Sequence, residues 1–311
     1  MNLRRWKENQ AIIIVFTVLL CLIIGSSLVS DVFRTSRNIK NLLLQSVALG
    51  IVSIGQTFPI ILAGIDLSVG SVINMVMCLT AGLPGGQGYL LIPVIVLVIA
   101  MALFVGFLNG YVIARTGVHP LIVTLGMASV VQGALLLYTK IPVGPVPESF
   151  YFFAWADVWF LPFPFLLFCA IAALGIFILR KTTIGRYIYA TGGNEEIARL
   201  SGIPTTRVKI FTYMFCSFTA AVTGLFLASR LGSPGPLTAE NFMLDSIIPV
   251  LIGGTVLSGG KGGIVGTIAG VFIMTILSNV FNLIGVHSYW QWVISGIILI
   301  TAVAFFWKEK G

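Results

Sequence analysis

"FPIILAGIDLSVGS", residues 58–71, sets a carboxylate and two serines inside a run that is otherwise apolar. Within it, Gly64-Ile65-Asp66-Leu67-Ser68 reads as an unwound joint between two apolar segments. The surroundings of that joint decide the fold. With 58% hydrophobic residues, 9% charged residues and a mean hydropathy of +1.04, the chain lies outside the range of soluble domains. It is read as lying in a bilayer, where a helix needs roughly 20 apolar residues to cross and every backbone N–H and C=O must be satisfied without water.

Such runs recur throughout. Spans are expected at Ala11–Val29, Leu42–Leu62, Val69–Leu83, Leu90–Ala114, Leu121–Tyr138, Leu161–Leu179, Ile210–Ser229, Phe242–Leu257, Ile264–Ile284 and Tyr289–Phe306. The fold class is therefore all-α, a polytopic membrane protein of about ten transmembrane helices forming one membrane-spanning unit over residues 1–311. The third and eighth runs are short enough to be broken or re-entrant, which leaves eight full spans as the other count. Cys21, Cys78, Cys169 and Cys216 fall in four different runs without Cys-x-x-Cys or Cys-His spacing and read as small buried hydrophobes. The first run follows Arg4, Arg5 and Lys7 as a signal peptide would. The lack of a small-residue cleavage site and the many later spans favour an uncleaved helix.

If ten helices alternate from a cytoplasmic N-terminus, only Arg34, Arg37, Lys40, Lys140 and Arg230 of the 18 Lys and Arg residues fall outside. That asymmetry satisfies the positive-inside rule with both termini cytoplasmic, and it explains the net charge of +8 without a nucleic-acid partner. The awkward piece is "DVFRTSRNIK" (31–40), basic on the expected outside. The external segment 138–164 mixes Pro with Tyr, Phe and Trp, as chain lying along the membrane–water boundary does.

The internal segment 180–209, with its long cytoplasmic loop at 181–209, carries six basic and two acidic residues and is the natural place for a cytoplasmic partner. Within it "NEEIARLSGIP" has the signals of a short helix: Asn194 as N-cap, Glu195 and Glu196 in the first turn, Gly202 after the end and Pro204 beyond.

Displaced by 190 residues, "FPIILAGIDLSVGS" falls on "IPVLIGGTVLSGGK" (248–261), matching Pro59, Gly64, Leu67, Ser68 and Gly70 to Pro249, Gly254, Leu257, Ser258 and Gly260. Read as a repeat, this divides the chain into two pseudo-repeated halves, each with an interrupted segment of the kind transporters place near their pathway. An ionised side chain at mid-bilayer costs about 2.5–3.5 kcal/mol on insertion scales, so Asp66 must face protein or a water-filled cavity. Two readings of it stand. In one, Asp66 and Ser68 receive the free N–H groups of a restarting helix; in the other, Asp66 lines a path or relays protons. The first is preferred because nothing nearby supplies a basic partner for a relay.

His119 and His287 stand alone, so no metal site is expected. "TVLSGGKGG" (255–263) has Thr255 and Gly262 where a nucleotide-binding loop needs Gly and Ser or Thr, and its glycines, with "GTIAG" (266–270), read as surfaces for close helix approach. Gln45, Gln56, Asn74, Asn109, Thr124, Gln132, Ser278, Asn279 and Asn282 are each explicable as an interhelical hydrogen bond. As a set they suggest a weakly polar passage suited to a neutral polyhydroxyl solute.

Several stretches together resemble the permease subunits of the ribose/galactose-type ATP-binding-cassette (ABC) sugar importers: "ILAGIDLSVGS" (61–71), "VHPLIVTLGM" (118–127), "TTIGRYIYATGGNEEIARLSGI" (182–203) and "IGGTVLSGGKGGIVGT" (252–267). Leu121, Ile197, Val256 and Ser258 depart from the residues usual in that pattern, which leaves the solute open. The resemblance implies a non-catalytic inner-membrane subunit that pairs with a second permease copy or paralogue. It also implies two cytoplasmic ABC ATPase subunits, which hold the ATP and Mg, and an extracytoplasmic solute-binding protein; this chain itself binds no cofactor. Coupling to the ATPase falls on Gly185, Arg186, Gly193, Asn194, Glu195, Glu196, Ala198, Arg199 and Gly202. The pathway or structural joint falls on Asp66, Ser68, Gln56, Asn74, Asn109 and Thr124. An ion-gradient-driven sugar or nucleoside transporter is the alternative and would need a coupling-ion site; an intramembrane enzyme would need a nucleophile with its base, or paired acids, and neither is visible.

Overall fold

The apolar runs become helices, several of which end at a glycine: Gly117 after residue 116, Gly232 after residue 231 and Gly253 after residue 252. The computed structural model describes residues 2–300 apart from 288, 295, 298 and 299, with side chains from residue 12 onward. Its helices are α1 (Asn2–Val29), α2 (Ser36–Ile61), α3 (Val69–Gly82), α4 (Leu91–Thr116), α5 (Pro120–Tyr138), α6 (Phe152–Trp155), α7 (Phe163–Lys181), α8 (Thr183–Gly193), α9 (Glu195–Leu200), α10 (Thr205–Leu231), α11 (Phe242–Asp245), α12 (Ile248–Ile252) and α13 (Ile264–Leu283). Seven are long and apolar enough to cross a membrane: α1, α2, α4 (with the turn before it), α5, α7, α10 and α13. The third expected run is the short α3, and the eighth is broken into α11 and α12. Residues 289–294 are helical, and the remainder of the expected span Tyr289–Phe306, with the C-terminus, lies largely outside the described residues.

The architecture is all-α and polytopic, with one addition. In the segment 138–164, β1 (Asp157–Val158) and β2 (Leu161–Pro162) form a two-residue antiparallel hairpin whose tip exposes Trp159 and Phe160, and Lys40 reaches Asp157 at 2.5 Å. The basic stretch 31–40 is half helix: Thr35 accepts the N–H of Asn38 and opens α2, so Arg37 and Lys40 belong to a span's first turns.

At the centre stand α2 and α10, packed along each other and buried over most of their length, while α3 and α4 lie against α10 and α13 lies against α2. Lipid offers no hydrophobic drive for helix association, so contact distance and polar pairs hold the bundle. On α13, Gly266 and Gly270 face α12 so closely that a Cβ on either would overlap the carbonyl of Gly253 or Pro249. The "GTIAG" glycines are therefore a packing surface. Between α2 and α13, Asn38 and Asn279 exchange two hydrogen bonds of 3.0 Å, and the hydroxyls of Thr57 and Thr267 meet at 2.9 Å. Of the cysteines, Cys78 and Cys216 are buried, whereas Cys21 and Cys169 lie on outward faces of α1 and α7, where an apolar thiol has no need of protein cover.

Candidate functional site

Two interrupted helices and one pair of short helices, α8 and α9, meet at a single place. The first interruption follows α2: the N–H of Gly64 donates to Pro59 and that of Ala63 to Ile60, with Ala63 left-handed at φ +58°. The second follows α12: the N–H of Thr255 donates to Val250 and that of Gly254 to Leu251, with Gly254 at φ +83°. Both are the paired 6→1 and 5→2 bonds that end a helix by turning the chain sharply away. They coincide one residue out of the 190-residue register.

After the first stop, residues 62–68 cross to α3. Asp66 is fully buried, and its Oδ1 accepts both the backbone N–H of Ser68 (2.9 Å) and the Ser68 hydroxyl (2.5 Å). The Ser68 hydroxyl receives the side-chain N–H of Asn109 on α4 at 3.0 Å, and no side chain accepts an N–H from the first turn of α3. The carboxylate thus closes the turn that precedes α3, while the serine links it to α4. Thr124 on α5 donates to the carbonyl of Ile65 at 3.2 Å, and Gln56 on α2 accepts the thiol of Cys216, which with Tyr213 stands beside the carboxylate. Among the described residues, Asp66 Oδ2, Gln56 Nε2, Asn109 Oδ1 and the Tyr213 hydroxyl have no hydrogen-bond partner.

Asp66, Ser68, Asn109, Thr124 and Gln56 thus gather around the first joint. Asn74 does not. It accepts the N–H of Ala239 at 2.8 Å and donates to Gln132, which in turn holds the carbonyl of Pro236, so it ties α3 to the loop before α11.

The segment 180–209 holds two helices where the sequence suggested one. Thr182 accepts the N–H of Gly185 to start α8, and Gly185 itself lies against the end of α7. Asn194 Oδ1 accepts the N–H of Ile197 at 2.9 Å to start α9, and bonds from Gly202 to Arg199 and Ile203 to Ala198 end it. Glu195 pairs with Lys209 at 2.6 Å, holding α9 to the first turns of α10. Ala198 is buried beneath α9. Glu196, Ile197, Arg199 and Leu200 face outward, with the two apolar residues 62% and 77% exposed, and Arg186 and Gly193 are exposed on α8.

The end of α8 then meets both joints, backbone on backbone. A Cβ on Gly192 would overlap the carbonyl of Ile61, and Gly260 packs on the backbone of Gly192 and Gly193. The N–H of Gly260 donates to the Ile61 carbonyl at 2.8 Å, and the Tyr189 hydroxyl donates to the Gly262 carbonyl at 2.8 Å. At Gly192 and Gly260 no side chain separates the end of α8 from the end of α2 or from the 253–263 joint. The doublets Gly192-Gly193 and Gly259-Gly260 were the only sequence signal of this contact. Tyr213 and Cys216, on an ordinary apolar helix, gave none.

A polytopic all-α membrane protein with interrupted helices clamped to one pair of short helices is the class that this fold and site define. Residues 38–303 match the family described as "Branched-chain amino acid transport system / permease component". Similar chains include the ribose import permease protein RbsC of Haemophilus influenzae (35% identity over 93% of this chain and 90% of that one) and that of Bacillus subtilis (38%, 93% and 90%). The L-arabinose transport system permease protein AraH of Escherichia coli is 35% identical over 97% of this chain and 91% of its own length. No solved structure matches. The chain belongs to this permease family, that of the ribose-type ABC sugar importers, and is a multi-pass protein of the inner membrane.

Proposed function

We propose that the chain is the transmembrane subunit of a binding-protein-dependent, ATP-driven importer for a monosaccharide or similar polyhydroxyl solute. Two permeases, the second a copy or a paralogue, form the passage. Two ATPase subunits hold ATP and Mg on the cytoplasmic side, and an extracytoplasmic binding protein delivers the solute and carries most of the affinity. About ten membrane-crossing segments, counting the short and broken ones, fall in two related halves with both termini cytoplasmic, the arrangement that the basic-residue asymmetry and the two similar helix stops favour.

The observation that carries the mechanism is the backbone junction of Gly192 with Ile61 and Gly260. When the ATPase pair closes on ATP, it pushes on the outward face of α9. α9 is capped by Asn194 and held by Glu195 to Lys209, so it moves with α8 as one body. α8 then tilts the ends of α2 and of the 253–263 joint together. Because these joints are helix ends rather than continuous helix, they are where the membrane halves can change angle at low cost.

Affinity purification of the chain from its native membranes in mild detergent, with partners identified by mass spectrometry and the eluate assayed for ATP hydrolysis, tests this. Stoichiometric recovery of an ATPase and a vanadate-sensitive activity are expected. A chain recovered alone, whose transport follows a proton or sodium gradient, would overturn the reading.

A further inference from the structure

Away from the joints, α2, α10, α11, α13 and the helical residues 289–294 line a half-open cavity of about 370 Å³, within the range of roughly 300–1,000 Å³ that small-molecule sites occupy. The end of α2 and the joint between α12 and α13 pack on α8, so this cavity, lined by Gln45 and Leu49 of α2 and by Ser278 and Asn282 of α13, lies toward the opposite end of the bundle. Two charged side chains line it, Arg230 and Asp245, and they form no ion pair with each other. The guanidinium spends one N–H on the carbonyl of Leu44 and stacks over Phe226. Among the described residues, the Asp245 carboxylate and the Gln45 amide have no hydrogen-bond partner. Arg230, Asp245 and Gln45 are each partly buried at its wall, and ionisable groups set among apolar helices mark candidate functional sites. Phe242 and Trp292 supply aromatic faces.

We infer that this cavity is a solute-holding site within the subunit, for a neutral polyhydroxyl ligand of monosaccharide size. One positive and one negative group sum to zero, which disfavours a net ion. A carboxylate that accepts from adjacent hydroxyls, a guanidinium and amide that donate to ring and hydroxyl oxygens, and aromatic faces for the C–H side of a ring form a sugar-recognising set. The inference rests on the importer reading for its ligand class, and places a weak holding site between delivery at the outer face and the joints.

The test uses the permease with whatever subunits accompany it, in nanodiscs and free of binding protein, titrated with D-ribose, L-arabinose and L-leucine by equilibrium dialysis and by tryptophan fluorescence. Saturable binding of D-ribose or L-arabinose is expected, weakened about tenfold or more by Asp245→Asn through loss of a charge-assisted bond. Gln45→Leu should weaken it less, and Trp292→Phe should abolish the fluorescence change while dialysis still records binding. Absence of saturable sugar binding, an unaltered affinity in Asp245→Asn and Gln45→Leu, or preference for the zwitterion L-leucine would each overturn the site. Sugar import by a complex with its ATPase and an unaltered Asp245→Asn overturns the cavity alone. A chain without an ATPase overturns the importer reading, and sugar bound to it would still report on the cavity.

Discussion

Gly260 donates its N–H to the carbonyl of Ile61 at 2.8 Å, so two helix stops separated by almost 200 residues share one hydrogen bond, and Gly192 lies against both partners. Because the contact is backbone to backbone, its tolerance to change is small and can be measured one methyl group at a time.

Gly192→Ala puts a Cβ into the Ile61 carbonyl, whereas Gly193→Ala enters open space one residue later. Overpacking of this kind costs about 1–3 kcal/mol. In proteoliposomes with its ATPase, Gly192→Ala should lose most transport per ATP hydrolysed, and Gly193→Ala should be close to wild type. Equal behaviour of the two would remove the junction from the mechanism.

The outward face of α9 carries Ile197 and Leu200, exposed apolar residues beside Glu196 and Arg199. Leu200→Asp should leave the chain monodisperse in the membrane fraction while lowering recovery of the ATPase at least several-fold, since buried apolar anchors dominate such contacts. Glu196→Arg should act in the same direction. Undiminished co-purification of the ATPase by both variants would move the docking surface elsewhere.

At Asp66, an amide oxygen can still accept from the Ser68 N–H and hydroxyl. Asp66→Asn should therefore fold and transport nearly normally. Asp66→Leu strands both donors in a buried place, at about 1–3 kcal/mol, and should lower the thermal midpoint. An Asp66→Asn variant that assembles with its ATPase yet fails to transport would give the carboxylate a part in the pathway.

Asn38 and Asn279 bond reciprocally across α2 and α13. Asn38→Leu leaves the Asn279 amide without this partner and Asn279→Leu leaves Asn38 only its bond to the Phe33 carbonyl, each at about 1–2 kcal/mol, while Asn38→Leu with Asn279→Leu replaces both partners by apolar groups. The double variant should be more stable than the sum of the singles predicts, by about 0.6 kcal/mol or more. Strict additivity in thermal unfolding would show that the pair does not couple.

The cap of α9 was legible because Asn194, the acidic first turn and Gly202 act within one short stretch, and local chemistry settles such ends. The packing role of Gly266 and Gly270 was legible for a similar reason, since small residues four apart share one helix face. Asn74 was not: a polar residue in an apolar helix reads alike whether it faces a joint or, as here, the loop at Ala239. Nor was α8 anticipated, because its residues carry mixed propensities and it is held by contacts with α7, α9, α10 and the end of α2.

By itself the sequence determined that this chain lives in a bilayer as a bundle of helices, and where those helices break, because hydrocarbon demands apolar length and internal hydrogen bonding, and glycine, proline and short polar residues end a helix locally. It also determined the permease family, through motifs spread along the chain. Only the tertiary structure decided that Ile61, Gly192 and Gly260 are neighbours, that Asp66 faces Ser68 and Asn109, and that Arg230 and Asp245 share a cavity without pairing. Those relations depend on how helices distant in sequence approach one another, and in lipid that approach is set by close contact and polar pairing between helices rather than by any pattern within one of them.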